Sequence, residues 1–401
     1  MIRRFPALLF HALVLFVATH GAAFAASVGA RIGPWDVAAL RSPPGLTWGA
    51  RTGLVQEVYY VSEPFHGHPT RVFAWYARPE RGPGPFPAML LVHGGGGRAF
   101  ADWATHWARR GFVALAMDLS GRGPDGPLSD GGPDQDDGTN FRAFEDGEVG
   151  EMGTYHAVAA ILHGHGLLAD QAEVNPRRFG LTGISWGGYL ACLAAGVDDQ
   201  LAAVVPVYGC GFLDRNSCWV APQFDRMPPA QRERWVRWFD PSSYLGRARC
   251  PVLMLNGSND FAYPLDSHRS SFAQLHGSKT LSIVINLPHG HLWEFNEVDA
   301  FIDHALRGGP ALTQLGPLKV TGPNVVVAYR SDLRVKDASL HFTTDRGPWQ
   351  TRQWRRVPAE VRKRDILAPL PAERPLTFFV STTDVRGVRV STPYQERESG
   401  R

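Results

Sequence analysis

The pattern of apolar and polar positions first changes near residue 88. Residues 58–77 are rich in β-branched and aromatic residues interrupted by turn residues, which predicts an early antiparallel hairpin. Short continuous apolar runs then alternate with helical stretches, as is typical of a parallel sheet covered by helices on both faces. The predicted strands are 88–92, 112–117, 178–183, 203–207, 252–256 and 281–285, and the predicted helices are 100–110, 148–163 and one beginning after Ser185.

The pattern changes again after residue 310, where short β-rich runs are separated by turn residues. These runs lie at residues 324–329, 338–343, 365–367, 376–381 and 387–391. Their spacing predicts a small antiparallel sandwich of immunoglobulin or fibronectin type. Apolar and polar positions alternate along its strands, as they do in strands with one buried face. We therefore expect a large α/β domain over residues 26–310 and an accessory β-sandwich over residues 311–401.

Two segments between the predicted core elements differ from the rest. Residues 121–138 are dense in glycine, proline and aspartate, which predicts an exposed loop; their acidic residues lack the ordered spacing of a calcium loop, so we expect no metal. Residues 211–245 form an insertion that contains three tryptophans. This segment is a candidate lid over a site, or an ordinary packed surface excursion.

The amino terminus has the pattern of a secretory signal peptide over residues 1–25. Two arginines precede an apolar run at residues 5–18, and small residues follow it. The run is shorter than the roughly 20 apolar residues that a spanning helix needs. We expect cleavage, export to the periplasm or the medium, and no stable membrane insertion of the mature chain.

The net charge limits the kinds of partner that we expect, and the cysteines limit the possible disulfides. The 401 residues include 41 basic and 38 acidic side chains, a formal net charge of +3, which does not favour nucleic acid or another polyanion. There are four cysteines. Cys210 and Cys218 lie eight positions apart and form either a local disulfide or two free thiols, whereas Cys192 and Cys250 lie in apolar contexts.

The strongest chemical motif is the Gly-x-Ser-x-Gly sequence at residues 183–187, centred on Ser185. It lies between a predicted strand and a predicted helix, where flanking glycines permit a sharp turn that exposes a nucleophilic hydroxyl. A serine hydroxyl is a poor nucleophile until a base takes its proton, so a histidine and an orienting carboxylate are required.

Candidates for both partners follow later strands. Asp260 ends a predicted strand and turn at residues 252–260, and we assign it as the acid, with Asp266 in reserve. Two histidines follow the strand that ends near residue 285. We favour His291 as the base because it stands directly after a glycine, and we keep His289 as the alternative because such a loop can aim either imidazole inward.

A glycine-rich segment at residues 93–97 follows the predicted strand 88–92 and has the form His-Gly-Gly-Gly-Gly. Glycine lets backbone N–H groups turn towards a bound oxygen, and the developing anion of acyl transfer needs such donors. We assign the oxyanion hole to the N–H groups of Gly95, Gly96 and Trp186. The segment lacks the glycine spacing of nucleotide-binding loops, so we expect no cofactor.

With this nucleophile turn, acid and Gly290-His291 pair, residues 58–307 resemble the catalytic domain of the prolyl oligopeptidase family. They are equally similar to acetyl xylan esterases and dienelactone-hydrolase-like enzymes, so the resemblance implies the α/β-hydrolase fold. The chain departs from prolyl oligopeptidases because it has no room for an amino-terminal propeller before residue 58. It departs from dienelactone hydrolases because serine stands where they have cysteine. The predicted sandwich lies outside the resemblance.

Three functions remain in order of preference: a carboxylic ester hydrolase, a peptidase or amidase, and a non-catalytic binding protein on a hydrolase scaffold. The departures favour an esterase whose substrate is a small-molecule or carbohydrate ester. The complete set of nucleophile, acid, base and oxyanion donors argues against the binding protein. The acyl group, the alcohol and the oligomeric state do not follow from the sequence.

Overall fold

The computed structural model describes residues 31–398, and its main feature is a nine-stranded mixed sheet. Long apolar runs form its inner strands because both faces of these strands are covered, and the strand Phe86–Val92 is buried from Pro87 onward. The strands are β1 (Leu46–Thr52), β2 (Val55–Phe65), β3 (His68–Ala77), β4 (Phe86–Val92), β5 (Val113–Met117), β6 (Val174–Ile184), β7 (Ala203–Val207), β8 (Val252–Gly257) and β9 (Lys279–Val284).

Their order in the sheet is β9-β8-β7-β6-β4-β5-β3-β2-β1. Strand β2 pairs antiparallel with both β1 and β3, and β3 pairs antiparallel with β5. All the other neighbours in the sheet, from β5 and β4 across to β9, pair in parallel. The carboxyl ends of the parallel strands therefore meet at one edge, where ligands bind in open α/β sheets.

Within the described residues, eight α-helices lie before, between and after these strands. They are α1 (Val37–Leu40), α2 (Ala101–Arg109), α3 (Asp137–Phe141), α4 (Gly153–Ala169), α5 (Trp186–Val197), α6 (Pro229–Phe239), α7 (Leu265–Gln274) and α8 (Asn296–Arg307). Helix α5 is buried along its whole length, and α4 is almost entirely buried. Helices α2 and α8 are joined by ion pairs, Arg110 to Asp299 at 3.1 Å among them. None of the helices in residues 31–398 has the length and apolarity needed to cross a membrane.

The insertion at residues 211–245 packs on the rest of the molecule through several buried side chains. The buried side chain of Trp235 on α6 stacks on Phe141, with ring centroids 5.1 Å apart, and donates its indole N–H to the carbonyl of Asn140. Helix α6 therefore rests on α3 as a packed excursion does. Movement of this segment as a lid stays a prediction.

The carboxy-terminal residues form two antiparallel sheets with a shared apolar core. The strands are β10 (Gln314–Leu315), β11 (Lys319–Thr321), β12 (Asn324–Arg330), β13 (Val335–Thr343), β14 (Arg355–Pro358), β15 (Glu360–Val361), β16 (Asp365–Pro369), β17 (Leu376–Asp384), β18 (Arg389–Ser391) and β19 (Gln395–Arg397). One sheet has the order β10-β12-β16-β15, with β11 on β12, and the other has the order β14-β13-β17-β18, with β19 on β17. Val325 and Val327 of the first sheet pack with Leu340 and Phe378 of the second.

The predicted alternation of residues 376–381 is wrong, because both faces of β17 are buried. Phe378 and Val380 point into the sandwich core, whereas Phe379 joins the core of the large sheet. The hydroxyl of Ser391 on neighbouring β18 accepts the backbone N–H of Ile283 on β9 at 3.1 Å. The second sheet of the sandwich thus packs directly against the edge of the nine-stranded sheet.

The predicted signal peptide at residues 1–25 lies outside the described residues. All four cysteines have free thiols, so Cys210 and Cys218 are not joined. Burial raises the pKa of Cys218 to about 12, which keeps this thiol protonated at neutral pH.

Candidate active site

Ser185 stands in the sharp turn between β6 and α5. Its backbone has φ 57° and ψ −117°, a left-handed conformation that is costly for a residue with a side chain. The turn is held by the Ser185 N–H, which donates to the carbonyl of Val207 at 2.9 Å. A side chain at Gly183 or Gly187 would collide with backbone carbonyls, so these two glycines are required for the turn.

His289 connects Ser185 to Asp260. Its Nε2 lies 2.8 Å from the hydroxyl oxygen of Ser185, and its Nδ1 lies 2.7 Å from a carboxylate oxygen of Asp260. Because a carboxylate can only accept at this distance, Nδ1 carries the proton and Nε2 is free to accept from the serine hydroxyl. The imidazole therefore has the tautomer that a general base requires.

Asp260 is held as firmly as the histidine it orients. It is buried, and its other carboxylate oxygen accepts the backbone N–H groups of Ala262 and Tyr263 at 2.9 and 2.8 Å. These bonds fix the orientation of the carboxylate towards His289. The reserve candidate Asp266 faces a different partner, because both of its carboxylate oxygens accept from the Asn216 amide at 3.0 and 2.8 Å.

The prediction that His291 is the base is wrong, because His289 is the histidine that contacts both Ser185 and Asp260. The His291 ring lies 5.1 Å from the ring of Phe100, and its buried Nε2 has no hydrogen-bond partner among the described residues. Burial lowers the pKa of His291, which favours the neutral ring. A neutral imidazole can pack against the apolar ring of Phe100.

The physical reason for this exchange is Tyr208. Its ring stacks on His289 with centroids 4.7 Å apart, and its hydroxyl donates to the carbonyl of Pro288 at 3.1 Å. These two contacts turn the imidazole that follows Pro288 inward. Tyr208 lies on another strand end with φ +59°, so no local signal around residues 287–293 could have identified it.

The predicted oxyanion donors are only partly brought together. Gly95 and Trp186 line the same cavity as Ser185, whereas Gly96 does not line it and occupies a left-handed turn with φ +66°. The backbone N–H of Gly97 closes this turn on the carbonyl of Gly94 at 3.0 Å. Two of the three residues assigned as donors therefore line the cavity together with the nucleophile.

His93 anchors this glycine segment. Its Nε2 accepts the backbone N–H of Leu119 at 2.9 Å, so its Nδ1 carries the proton and donates to the carbonyl of Gly94 at 2.7 Å. Burial lowers the pKa of His93 and keeps it neutral. The carbonyl of Gly94 is thereby held in place, and the peptide that follows it is fixed beside Ser185.

A cavity of about 280 Å³ opens onto the serine. The indole N–H of Trp186 is fixed on the amide oxygen of Gln135 at 3.1 Å, and that of Trp219 on Asp137 at 3.1 Å. The lining residues are Gly95, Gln135, Asp137, Asn140, Ile184, Ser185, Trp186, Cys218, Trp219, Phe261, Ala262, His289, Gly290 and His291.

Several of these lining residues come from the two segments between the predicted core elements. The aspartate-rich loop at residues 121–138 contributes Gln135, and the insertion contributes Trp219. The tryptophans mark the insertion in the sequence, whereas no pattern distinguishes Gln135. Within residues 31–398, no cluster of three or more histidine, cysteine or acidic side chains is arranged to hold a metal ion.

Two family models match overlapping parts of the chain. The acetyl xylan esterase model covers residues 52–215, and the prolyl oligopeptidase model covers residues 140–305. Each covers less than half of the chain, and the carboxy-terminal sandwich lies outside both. A curated relative is an acetyl esterase of Xylanibacter ruminicola, 23% identical over 210 residues. The match spans 48% of this chain and 46% of that protein, so the chain spans about half the length of this relative.

Solved structures agree on the fold. An acetyl xylan esterase from Paenibacillus sp. R4 has a TM-score of 0.55 at 21% identity, over 68% of this chain and 92% of that one. Acetyl xylan esterase 1 from Thermoanaerobacterium sp. JW/SL YS485 has a TM-score of 0.51 at 19% identity, over 70% and 96% respectively. Together with the strand order, these likenesses confirm the predicted fold class.

Proposed function

We propose that this chain, an α/β-hydrolase by its fold, is a serine hydrolase that cleaves carboxylic esters through Ser185, His289 and Asp260. The observation that carries the proposal is the unbroken hydrogen-bonded series from Asp260 through His289 to Ser185 at the wall of a cavity. The matches to the acetyl xylan esterase and prolyl oligopeptidase families support serine hydrolase chemistry.

In the first step, the Ser185 oxygen attacks the ester carbonyl carbon while its proton passes to Nε2 of His289. The resulting imidazolium is stabilised by Asp260, and we assign to the N–H groups of Gly95 and Trp186, both of which line the cavity, the stabilisation of the oxygen that becomes negative. The carbon–oxygen bond to the alcohol then breaks, and His289 returns its proton to the departing alkoxide. Water repeats the sequence on the acyl-serine and releases the acid.

We propose that a short acyl group is bound in this cavity. Its volume of about 280 Å³ lies just below the usual range of roughly 300–1,000 Å³ for small-molecule sites. Both indole N–H groups in its wall are held by hydrogen bonds, to Gln135 and to Asp137. The relatives named above are acetyl esterases, and we propose an acetyl ester of a small molecule or carbohydrate as the substrate.

A peptidase is the second candidate, because the prolyl oligopeptidase model spans Ser185, Asp260 and His289 together. The acetyl xylan esterase model ends at residue 215, before the acid and the base. The non-catalytic alternative is disfavoured by the aligned base, since a merely structural serine would not need an imidazole that a buried carboxylate orients towards it.

We further propose export, on the basis of the signal-peptide pattern in residues 1–25. Amino-terminal sequencing of the chain recovered from outside the cytoplasm should begin near residue 26. Recovery only from the cytoplasm with residues 1–25 intact would contradict export.

The function is tested by a screen of 4-nitrophenyl esters with acyl chains of two to eight carbons beside aminoacyl and peptidyl 4-nitroanilides. We expect the acetyl ester to have the highest kcat/KM and the anilides to be poor substrates. A kcat/KM that is higher for a nitroanilide than for every ester would favour the peptidase instead. Ser185→Ala should be inactive on whichever substrate is preferred.

A further inference from the structure

Phe261 directly follows the buried acid Asp260, yet 56% of its surface is exposed. Of the large apolar side chains that residues 31–398 leave exposed, it is the one that lines the cavity; the others are Trp48, Val61, Leu292, Val361 and Val385. Single exposed apolar side chains are common on protein surfaces, but one that lines a cavity offers apolar contact area to whatever binds there.

The position of this ring is fixed by its neighbours. The turn that Asp260 caps places Phe261 at its tip, because the N–H groups of the two residues after Phe261 are both bound to the Asp260 carboxylate. The backbone N–H of Cys218 donates to the carbonyl of Ala262 at 3.3 Å and ties the turn to the cavity wall. The ring of Phe261 lies 4.7 Å from the ring of His289.

The carboxy-terminal sandwich also contacts this turn. The side-chain amide of Gln350 donates to the carbonyl of Phe261 at 3.4 Å. Its neighbour Trp349 is buried and packs against Tyr394, with ring centroids 4.8 Å apart. Gln350 therefore extends from an anchored point of the sandwich to the rim of the cavity.

Under the proposed function, the departing alcohol must receive its proton from Nε2 of His289. The alcohol portion of the ester consequently lies beside that imidazole, where Phe261 is the exposed apolar surface. A ring with axial C–H bonds, such as a sugar or cyclohexanol, presents a flat apolar face that packs on an aromatic ring. An open-chain alcohol presents less surface to it.

We propose that Phe261 is the platform for the alcohol portion of the substrate, that this alcohol is cyclic, and that Gln350 positions the platform from the sandwich. The inference rests on the proposed function. It assigns to the sandwich an influence on specificity, while the reacting groups all belong to the α/β portion. The competing role for Phe261 is to shield the pair of His289 and Asp260 from water, which would affect all substrates equally.

The test compares cyclohexyl acetate with isopropyl acetate. Both are acetates of secondary alcohols, so their acyl groups and leaving-group basicities are matched and only the ring differs. Acetate release is measured for the wild type and for Phe261→Leu, Phe261→Trp and Gln350→Ala. Leu292→Ala is the matched control, because Leu292 is also exposed near the histidines but does not line the cavity.

For Phe261→Leu, we expect the ratio of kcat/KM for cyclohexyl to isopropyl acetate to fall about tenfold, mainly through KM. Phe261→Trp should retain the ratio, Gln350→Ala should lower it by about twofold to threefold, and Leu292→Ala should leave it unchanged. Melting curves of each variant confirm that the fold is retained.

An equal loss on both acetates, with the pH profile of kcat displaced, would show that Phe261 only shields the histidine and would overturn the platform. An unchanged ratio in Phe261→Leu would overturn it as well. If the wild type hydrolysed neither acetate while cleaving a peptide anilide, the proposed function itself would fail. These three results differ from one another in the wild-type and variant data.

Discussion

The nine-stranded sheet and the carboxy-terminal sandwich both bury apolar strands, but their strand ends differ in chemistry. In the large sheet, β6 ends before Ser185, β8 ends before the turn that contains Asp260, and β9 is followed by the loop of His289. Parallel pairing gathers these three ends at one edge. In the sandwich, antiparallel pairing sends successive strand ends to opposite edges, so side chains from sequential strands are not gathered in this way.

The two regions meet through the face of the sandwich that includes Phe379 and Val390. Both side chains belong to the apolar core of the large sheet, whereas Val325 and Leu340 belong to the sandwich's own core. The sandwich is therefore an integral cover for the edge of the large sheet. Any influence it has on chemistry passes through contacts such as that of Gln350 with Phe261.

The sharpest test of this division is removal of the nucleophile. Ser185→Ala should lower kcat/KM on 4-nitrophenyl acetate by about 10⁴-fold or more, because the covalent step is lost, while the melting temperature stays close to that of the wild type. Ser270→Ala is the control, since its hydroxyl only donates to a carbonyl within α7. Substantial activity in a clean preparation of Ser185→Ala would place the chemistry elsewhere.

The two histidines provide the next test. His289→Ala should lower kcat by about 10³-fold or more, whereas His291→Ala should cost less than about tenfold, because only His289 contacts both Ser185 and Asp260. The two variants differ by two positions in one loop, so each controls for damage to the loop. Equal losses, or a larger loss in His291→Ala, would contradict the geometry.

Stability measurements test whether the two regions unfold together. Val390→Ala removes apolar contact between the regions, and Val325→Ala removes it within the sandwich; each should cost about 2 kcal/mol. If the sandwich is an integral cover, calorimetry should show one unfolding transition, and both variants should lower its midpoint temperature. Two transitions, with only one lowered by Val325→Ala, would show an independent domain.

The smallest expected effect is on the stability of the contact between helix α8 of the α/β region and strand β18 of the sandwich. Glu297 on α8 is buried and accepts the backbone N–H of Arg389 at 3.1 Å, and burial raises the pKa of its carboxyl group. The folded chain then holds this proton to higher pH than the unfolded chain, so stability falls as the pH rises from the unfolded pKa through the folded one.

Glu297→Gln keeps an acceptor for Arg389 without the charge. Urea unfolding should show it to be more stable than the wild type at about pH 7.5, by less than roughly 1 kcal/mol, and equal to it at about pH 4. A variant that is less stable at neutral pH would mean that the charge itself holds the junction together.

Much of this arrangement could be predicted from local patterns. The turn around Ser185 was identifiable because a strand, two flanking glycines and a helix are contiguous in the sequence. Asp260 was identifiable from its place after a buried strand. The rest depended on contacts between distant segments: Tyr208 selects His289 over His291, and the junction with the large sheet buries the second face of β17. No periodicity within either segment encodes such contacts.

Covalent labelling with 4-nitrophenyl diethyl phosphate tests whether Ser185 is the nucleophile of an ester hydrolase. We expect one diethylphosphoryl group per chain, located on the Ser185 peptide by mass spectrometry, with esterase activity lost in proportion to labelling. Labelling should be absent in Ser185→Ala and strongly slowed in His289→Ala. A label on another residue, or full labelling of Ser185 with activity retained, would contradict the account.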